Sequence, residues 1–196
     1  MARQNINIGT TVNDGTGDPL RTSFDKTNDN FAELYSVSGW AYYRDGETST
    51  QVITTTYARL SINGNHQDTT EAYLPAGFTG SFWNAQTNSI TPDNVGDLYN
   101  IRIDLTITGK TGSPEYISMI LDVGGSSSVT NINVEKTLFT AKTPPYKISK
   151  SFEVFINSDF NTNNGQIFLS TDTGTATVSK RSILISRTYK GALTTP

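Results

Sequence analysis

From Trp40 onward the chain repeats one pattern, apolar residues at every second position, and that period belongs to strands rather than helices. Ile101, Ile103, Leu105 and Ile107 alternate with Arg102, Asp104, Thr106 and Thr108. Ile117, Met119, Leu121 and Val123 alternate with Ser118, Ile120 and Asp122. Phe152, Val154 and Ile156 alternate with Glu153, Phe155 and Asn157. Ile183 and Ile185 carry the theme on to Arg187 and Tyr189. Successive strand side chains point to opposite faces, so each run predicts a strand with one buried face. The pattern places strands at about 40–44, 51–62, 71–74, 98–108, 115–124, 131–140, 146–157, 165–172 and 176–189. Turn signals separate them, among them Asp45-Gly46, Asn63-Gly64, Pro144-Pro145 and Asn163-Asn164-Gly165. Strands in this number with no second helix predict an all-β sandwich or barrel, and their length favours a jelly-roll-like antiparallel sandwich.

Residues 1–38 read differently. Asp18-Pro19 is a helix-start signal, the Asp as a cap and the Pro in the first turn. Leu20, Phe24, Thr27, Phe31 and Leu34 then recur at spacings of 4, 3, 4 and 3, one narrow stripe of a helix over about 19–36. Gly39 suits the left-handed position beyond such a helix. Residues 3–12 are too few and too polar to cover the stripe, which must meet the β domain, copies of itself or a partner. The chain thus divides into an extended N-terminal arm with one short α-helix, residues 1–38, and a β-sandwich domain, residues 39–196.

Composition narrows the function. Net charge is −3, so no nucleic-acid footprint covers the molecule. There is no cysteine, hence no disulfide or thiol chemistry. The first residues lack the apolar run of a signal peptide, and no stretch approaches the roughly 18 apolar residues of a membrane helix. A soluble protein made in a cytoplasm, without membrane insertion, is expected. Lys180, Arg181, Arg187 and Lys190 in the last strand read as a solvated sheet face or a mildly basic patch.

Chemistry is sparse. His66 is the only histidine, in a loop, and without cysteine it cannot build the common zinc sites. Asp97, Asp104, Glu115, Asp122 and Glu153 lie in or beside strands, but none stands out as half of a glycosidase pair. Asp159 to Gly165 faintly echoes a calcium loop, though the Gly falls one place late and an Asn/Gly-rich hairpin turn explains it more simply. Gly124 to Ser128 reads as a flexible loop rather than a phosphate cradle. The expectation is no catalytic residue, no metal and no cofactor. Trp40, Tyr42 and Trp83, with Tyr43 and Phe82, are either core packing or exposed ligand and interface aromatics.

The arm is the most specific stretch. Ile6 to Thr10, then Asn13-Asp-Gly-Thr-Gly-Asp-Pro-Leu-Arg-Thr22, then Phe24-Asp-Lys-Thr-Asn-Asp-Asn-Phe-Ala-Glu-Leu-Tyr35, resembles a mounting motif of tailed-bacteriophage virion structural proteins. It stands there at the start of fibres, decoration proteins and other trimeric appendages. The β region resembles, more weakly, trimeric jelly rolls of phage head-decoration proteins and tumour-necrosis-factor-like heads. The resemblance implies a homotrimer on the outer surface of the virion, mounted through the arm on the major capsid protein or another virion protein. A capsid decoration or cement protein is the leading expectation, and a short head or tail fibre that binds host surface glycan is the alternative. Ile6, Ile8, Leu20, Phe24, Phe31, Leu34 and Tyr35 would supply apolar anchors or contacts, and Arg21, Asn28 and Asn30 multi-donor side chains for a partner's backbone.

Overall fold

A computed structural model describes residues 4–11, 14–123, 131–138 (backbone course only) and 143–191. Helix α1 spans Leu20–Tyr35. The strands that follow are β1 (Gly39–Arg44), β2 (Thr50–Ile53), β3 (Ala58–Arg59), β4 (Trp83–Asn84), β5 (Ser89–Ile90), β6 (Leu98–Thr111), β7 (Tyr116–Asp122), β8 (Asn131–Leu138) and β9 (Tyr146–Phe155). Helix α2 (Ser158–Asn163), β10 (Gly165–Thr171) and β11 (Thr175–Tyr189) complete the chain.

The strands form two antiparallel sheets. One has the order β1-β11-β6-β9 with β2 also on β11; the other runs β4-β5-β10-β7-β8 with β3 also on β10. If β1–β2 and the short β3–β5 each count as one strand position, the eight positions lie in the orders 1-8-3-6 and 2-7-4-5. That is the jelly-roll arrangement of two Greek keys. The predicted fold class holds on this strand order alone.

Alternation builds the core. Ile101, Ile103, Leu105 and Ile107 of β6 and Ile183 and Ile185 of β11 face inward, against Ile117, Met119 and Leu121 of β7 and Ile167 and Leu169 of β10. β7 departs from the one-face expectation: Ser118, Ile120 and Asp122 are buried too, with the Tyr57 hydroxyl 2.9 Å from Ser118 Oγ.

Several boundaries differ from the sequence reading. The predicted strand 51–62 is broken into β2 and β3 by a bend at 55–56, and 71–74 contributes no strand, while Thr70 just before it makes a single bridge to Tyr42. β4 and β5 are two residues long and carry no periodic signal. The Asp159–Gly165 segment is a helical turn, not a hairpin: the Asn157 side chain accepts from Phe160 N–H at 2.8 Å and starts α2. Gly165 follows because a Cβ there would sit 2.4 Å from the Phe160 ring. Gly39 does not end the helix; Ser36 does, and Gly39 opens β1, where a Cβ would collide with Pro75 N at 2.4 Å. The 124–128 loop lies outside the described residues. Among them, no helix is long and apolar enough to cross a membrane.

Candidate docking site

The arm is folded on itself. Residues 4–7 run back along α1 and are held there by side chains of the helix. The Asn30 amide bonds both backbone groups of Gln4, accepting its N–H at 2.8 Å and donating to its carbonyl at 2.9 Å. Gln4 Nε2 donates to Asp29 at 2.7 Å, and Lys26 Nζ to the Asn5 carbonyl at 3.0 Å. Asp18 departs from the capping role predicted for it. No side chain caps α1, Pro19 stands at the N-cap, and the Asp18 carboxylate instead takes Lys26 Nζ at 2.6 Å and Asn7 N–H at 2.9 Å. Those two bonds, Lys26 first, hold its pKa below the usual carboxylate value.

Asp14 organises the loop before the helix. Its carboxylate accepts N–H bonds from Thr10, Thr11 and Thr16 and the Thr10 hydroxyl, all at 2.7–2.9 Å. The Thr16 and Thr11 amides, with the Thr10 hydroxyl, press its pKa far below 3.8. Asp14 and Asp18 line one hollow together. A glycosidase acid needs a raised pKa, and both carboxyls are pushed the other way, so this pair lacks the proton for that chemistry at neutral pH.

The rest of the helix is uncovered. At about 100° per residue, Leu20, Phe24, Thr27, Phe31, Leu34 and Tyr35 fall within an arc of about 100°. None of α1 is buried, and Leu20, Phe24, Phe31 and Leu34 are 73, 60, 53 and 63% exposed. Exposed Arg21 and Asn28 flank one side of the arc; Asn30 and Lys26, on the other, are engaged with residues 4–5. Ile6 extends the stripe, sharing a groove of about 540 Å³ with Thr27, Phe31 and Leu34, and Ile8 stands free at the arm's edge. Seven apolar anchors named from sequence therefore share one module. Of its polar ones, Asn30 serves the arm itself.

Sequence reasoning missed the junction. Arg187, buried on β11, donates to the carbonyls of Ser36 at 2.5 Å and Val37 at 3.0 Å, the first residues after α1. It also meets Asp93 at 2.5 Å and Asp97 at 3.3 Å, and Asp97 accepts Gly191 N–H at 2.8 Å. Arg181 is likewise buried, 2.5 Å from Asp45. Two of the four late cations are thus neither a solvated face nor a basic patch.

The aromatic candidates separate. Trp83 is 2% exposed and donates Nε1–H to the Ile62 carbonyl at 2.7 Å, so as an exposed ligand residue it is corrected to a core one. Tyr43 and Phe82 are core as well. Trp40 lies on the outer face of β1, stacked on Tyr73 with centroids 4.5 Å apart, and Tyr42 shares that face, half-buried. His66 Nδ1 accepts the Asp68 N–H at 3.1 Å. Among the described residues no three His, Cys, Asp or Glu side chains gather as a metal site.

Comparison with known proteins meets the arm. Residues 3–45 match the family described as bacteriophage T4 gp9/10-like protein, N-terminal. Baseplate wedge protein gp10 of Enterobacteria phage T4 is 40% identical over 79 residues, covering 31% of this chain but 13% of that protein. Among solved structures, PRD1 vertex protein P5 has a TM-score of 0.45 at 14% identity, covering 79% of this chain and 73% of its own. The Eiger TNF of S. frugiperda gives 0.43 at 13%, covering 82% and 98%. At these scores the two add nothing to the strand order. The match over residues 3–45 and the likeness to gp10 support a phage virion structural protein, similar at its N-terminus to the gp9/10 proteins of phage T4.

Proposed function

We propose that this chain is a non-enzymatic structural protein of a bacteriophage particle, a homotrimer that docks through residues 4–38 and decorates and cements the capsid with its sandwich outward. The observation that carries this reading is the helix α1, ordered by its own arm yet presenting Leu20, Phe24, Phe31 and Leu34 to water. An apolar stripe left open on a monomer marks an interaction site. Its 4-3-4-3 spacing suits packing against two further copies, and Ile6, Ile8 and Tyr35 beside it suit the virion protein beneath. Burial of Ile6, Ile8 and Tyr35 at lattice joints would add contact area that resists internal pressure.

A second reading places the same arm on the tail, favoured by the likeness to a baseplate wedge protein. The sandwich would then be a short fibre head that meets host surface glycan. Locating the protein on the particle by electron cryo-microscopy separates the two. The cement reading further expects particles lacking the protein to burst at lower temperature and higher salt than complete ones. Equal survival sinks it.

A further inference from the structure

The outer face of the first sheet carries a hollow of about 400 Å³ that the core does not need. It follows from register. Arg44, Ser182, Asp104 and Ser149 lie side by side across β1, β11, β6 and β9. The next row holds Tyr42, Leu184, Arg102 and Ser151, and on the other side Thr106 pairs with Lys147. Small residues, Ser182 and Thr106 among them, form the floor, and the long side chains of Tyr42, Arg44, Arg102, Lys147 and Lys180 form the wall. Lys180 reaches this wall through a bulge. Between Ser179 and Ser182 β11 has one residue more than β6, Lys180 takes φ 47°, and the adjacent cations part. Arg181 goes to buried Asp45, and Lys180 stays outside, 2.6 Å from Glu47.

Charge selects the ligand. The chain is net negative, yet four cations and one carboxylate line this hollow. Arg44 is engaged by Asp68 at 2.6 Å and by Glu47, and Arg102 Nε by Asp104 at 3.0 Å. Exposed Lys147, on edge strand β9, has no carboxylate partner among the described residues. Thr106, Ser149 and Ser182 bring hydroxyls into the hollow beside Leu105. Tyr42 brings an aromatic ring to the hollow, and Trp40, stacked on Tyr73, lies two residues along β1 on the same face. The volume lies within the roughly 300–1,000 Å³ of small-ligand sites.

We propose that this hollow is a binding site for an anionic saccharide, with the acid group on Lys147 and Arg102, the sugar hydroxyls on Asp104, Ser149 and Ser182, and the ring against Tyr42. The site is independent of where on the particle the arm is mounted. The test titrates the full chain by calorimetry with trigalacturonic acid, maltotriose and a phosphorylated maltotriose. One or both acidic sugars should bind at least about tenfold more tightly than maltotriose, and the tighter of the two tells carboxylate from phosphate as the natural acid group. Lys147→Gln and Arg102→Gln should each weaken that binding by about fivefold to tenfold, since each removes a charge-assisted bond, while melting temperature stays put. No binding of either acidic sugar, equal affinity for maltotriose, or full affinity in the Lys147→Gln/Arg102→Gln double variant would overturn the assignment.

Discussion

Arg187 is buried because it has work on all sides: two carbonyls just past α1, the carboxylates of Asp93 and Asp97, and a place on β11. Its replacement by Ala would leave Asp97, wholly buried, without its cation, and those carbonyls without their donor. Breaking a buried pair this way costs about 3–5 kcal/mol, so Arg187→Ala should show a large drop in the denaturation midpoint. It should also speed proteolysis around residues 36–38, where the arm loses its tether. A melting curve like that of the parent chain would show that the junction is held by something else. Asp14 makes a gentler prediction. Its folded pKa is depressed, so its contribution to loop order is complete above about pH 4 and fades only as pH falls through the lower folded value. Its carboxyl NMR signal should therefore still be that of the ionised form at about pH 3, where ordinary exposed carboxylates are mostly protonated. A midpoint near 3.8 would mean that the Thr10, Thr11 and Thr16 bonds do not form in solution.

The long strands were legible because burial on one face writes a period of two into β6, β9 and β11, over 14, 10 and 15 residues. What was illegible has physical causes. Two-residue strands such as β4 and β5 are too short to show any period. In α2 the run Ser-Asp-Phe-Asn-Thr-Asn has the composition of a turn, and a single cap by Asn157 decides for a helix. Arg187 reads as one more solvated strand cation because the carbonyls that bury it lie about 150 residues away. The helix α1 and its stripe were readable, whereas the return of residues 4–7 along it was not, since it depends on Asn30, Lys26 and Asp18 bonding to backbone groups far off in sequence. Asn30→Ala should accordingly raise hydrogen exchange at the Gln4 amide and loosen the N-terminal segment of the arm, while leaving amides of β6 and β11 protected. Unchanged exchange at Gln4 would remove Asn30 from that role. Phe31→Ala, by contrast, touches an exposed ring in the isolated chain, and its stability cost there should stay within about 0.5 kcal/mol.

At the scale of the whole molecule the two parts divide the labour. The sandwich satisfies itself: its inner faces meet, and its strand order closes as a jelly roll. The arm ties up the backbone of residues 4–7 but leaves its apolar stripe open, and that imbalance marks it as the docking part. Burying the stripe between three copies predicts a sedimenting species of about three times the 21.4 kDa chain mass, reduced to one chain by charge on the seam. The most direct measurement is incorporation of the full-length Phe24→Asp/Phe31→Asp chain into particles assembled without the parent protein. Both positions are exposed on the single chain, so the variant should keep a folded sandwich, read from protected amides of β6 and β11, yet be missing from purified particles. If it is incorporated at parental occupancy, the stripe of α1 is not what holds this protein in place.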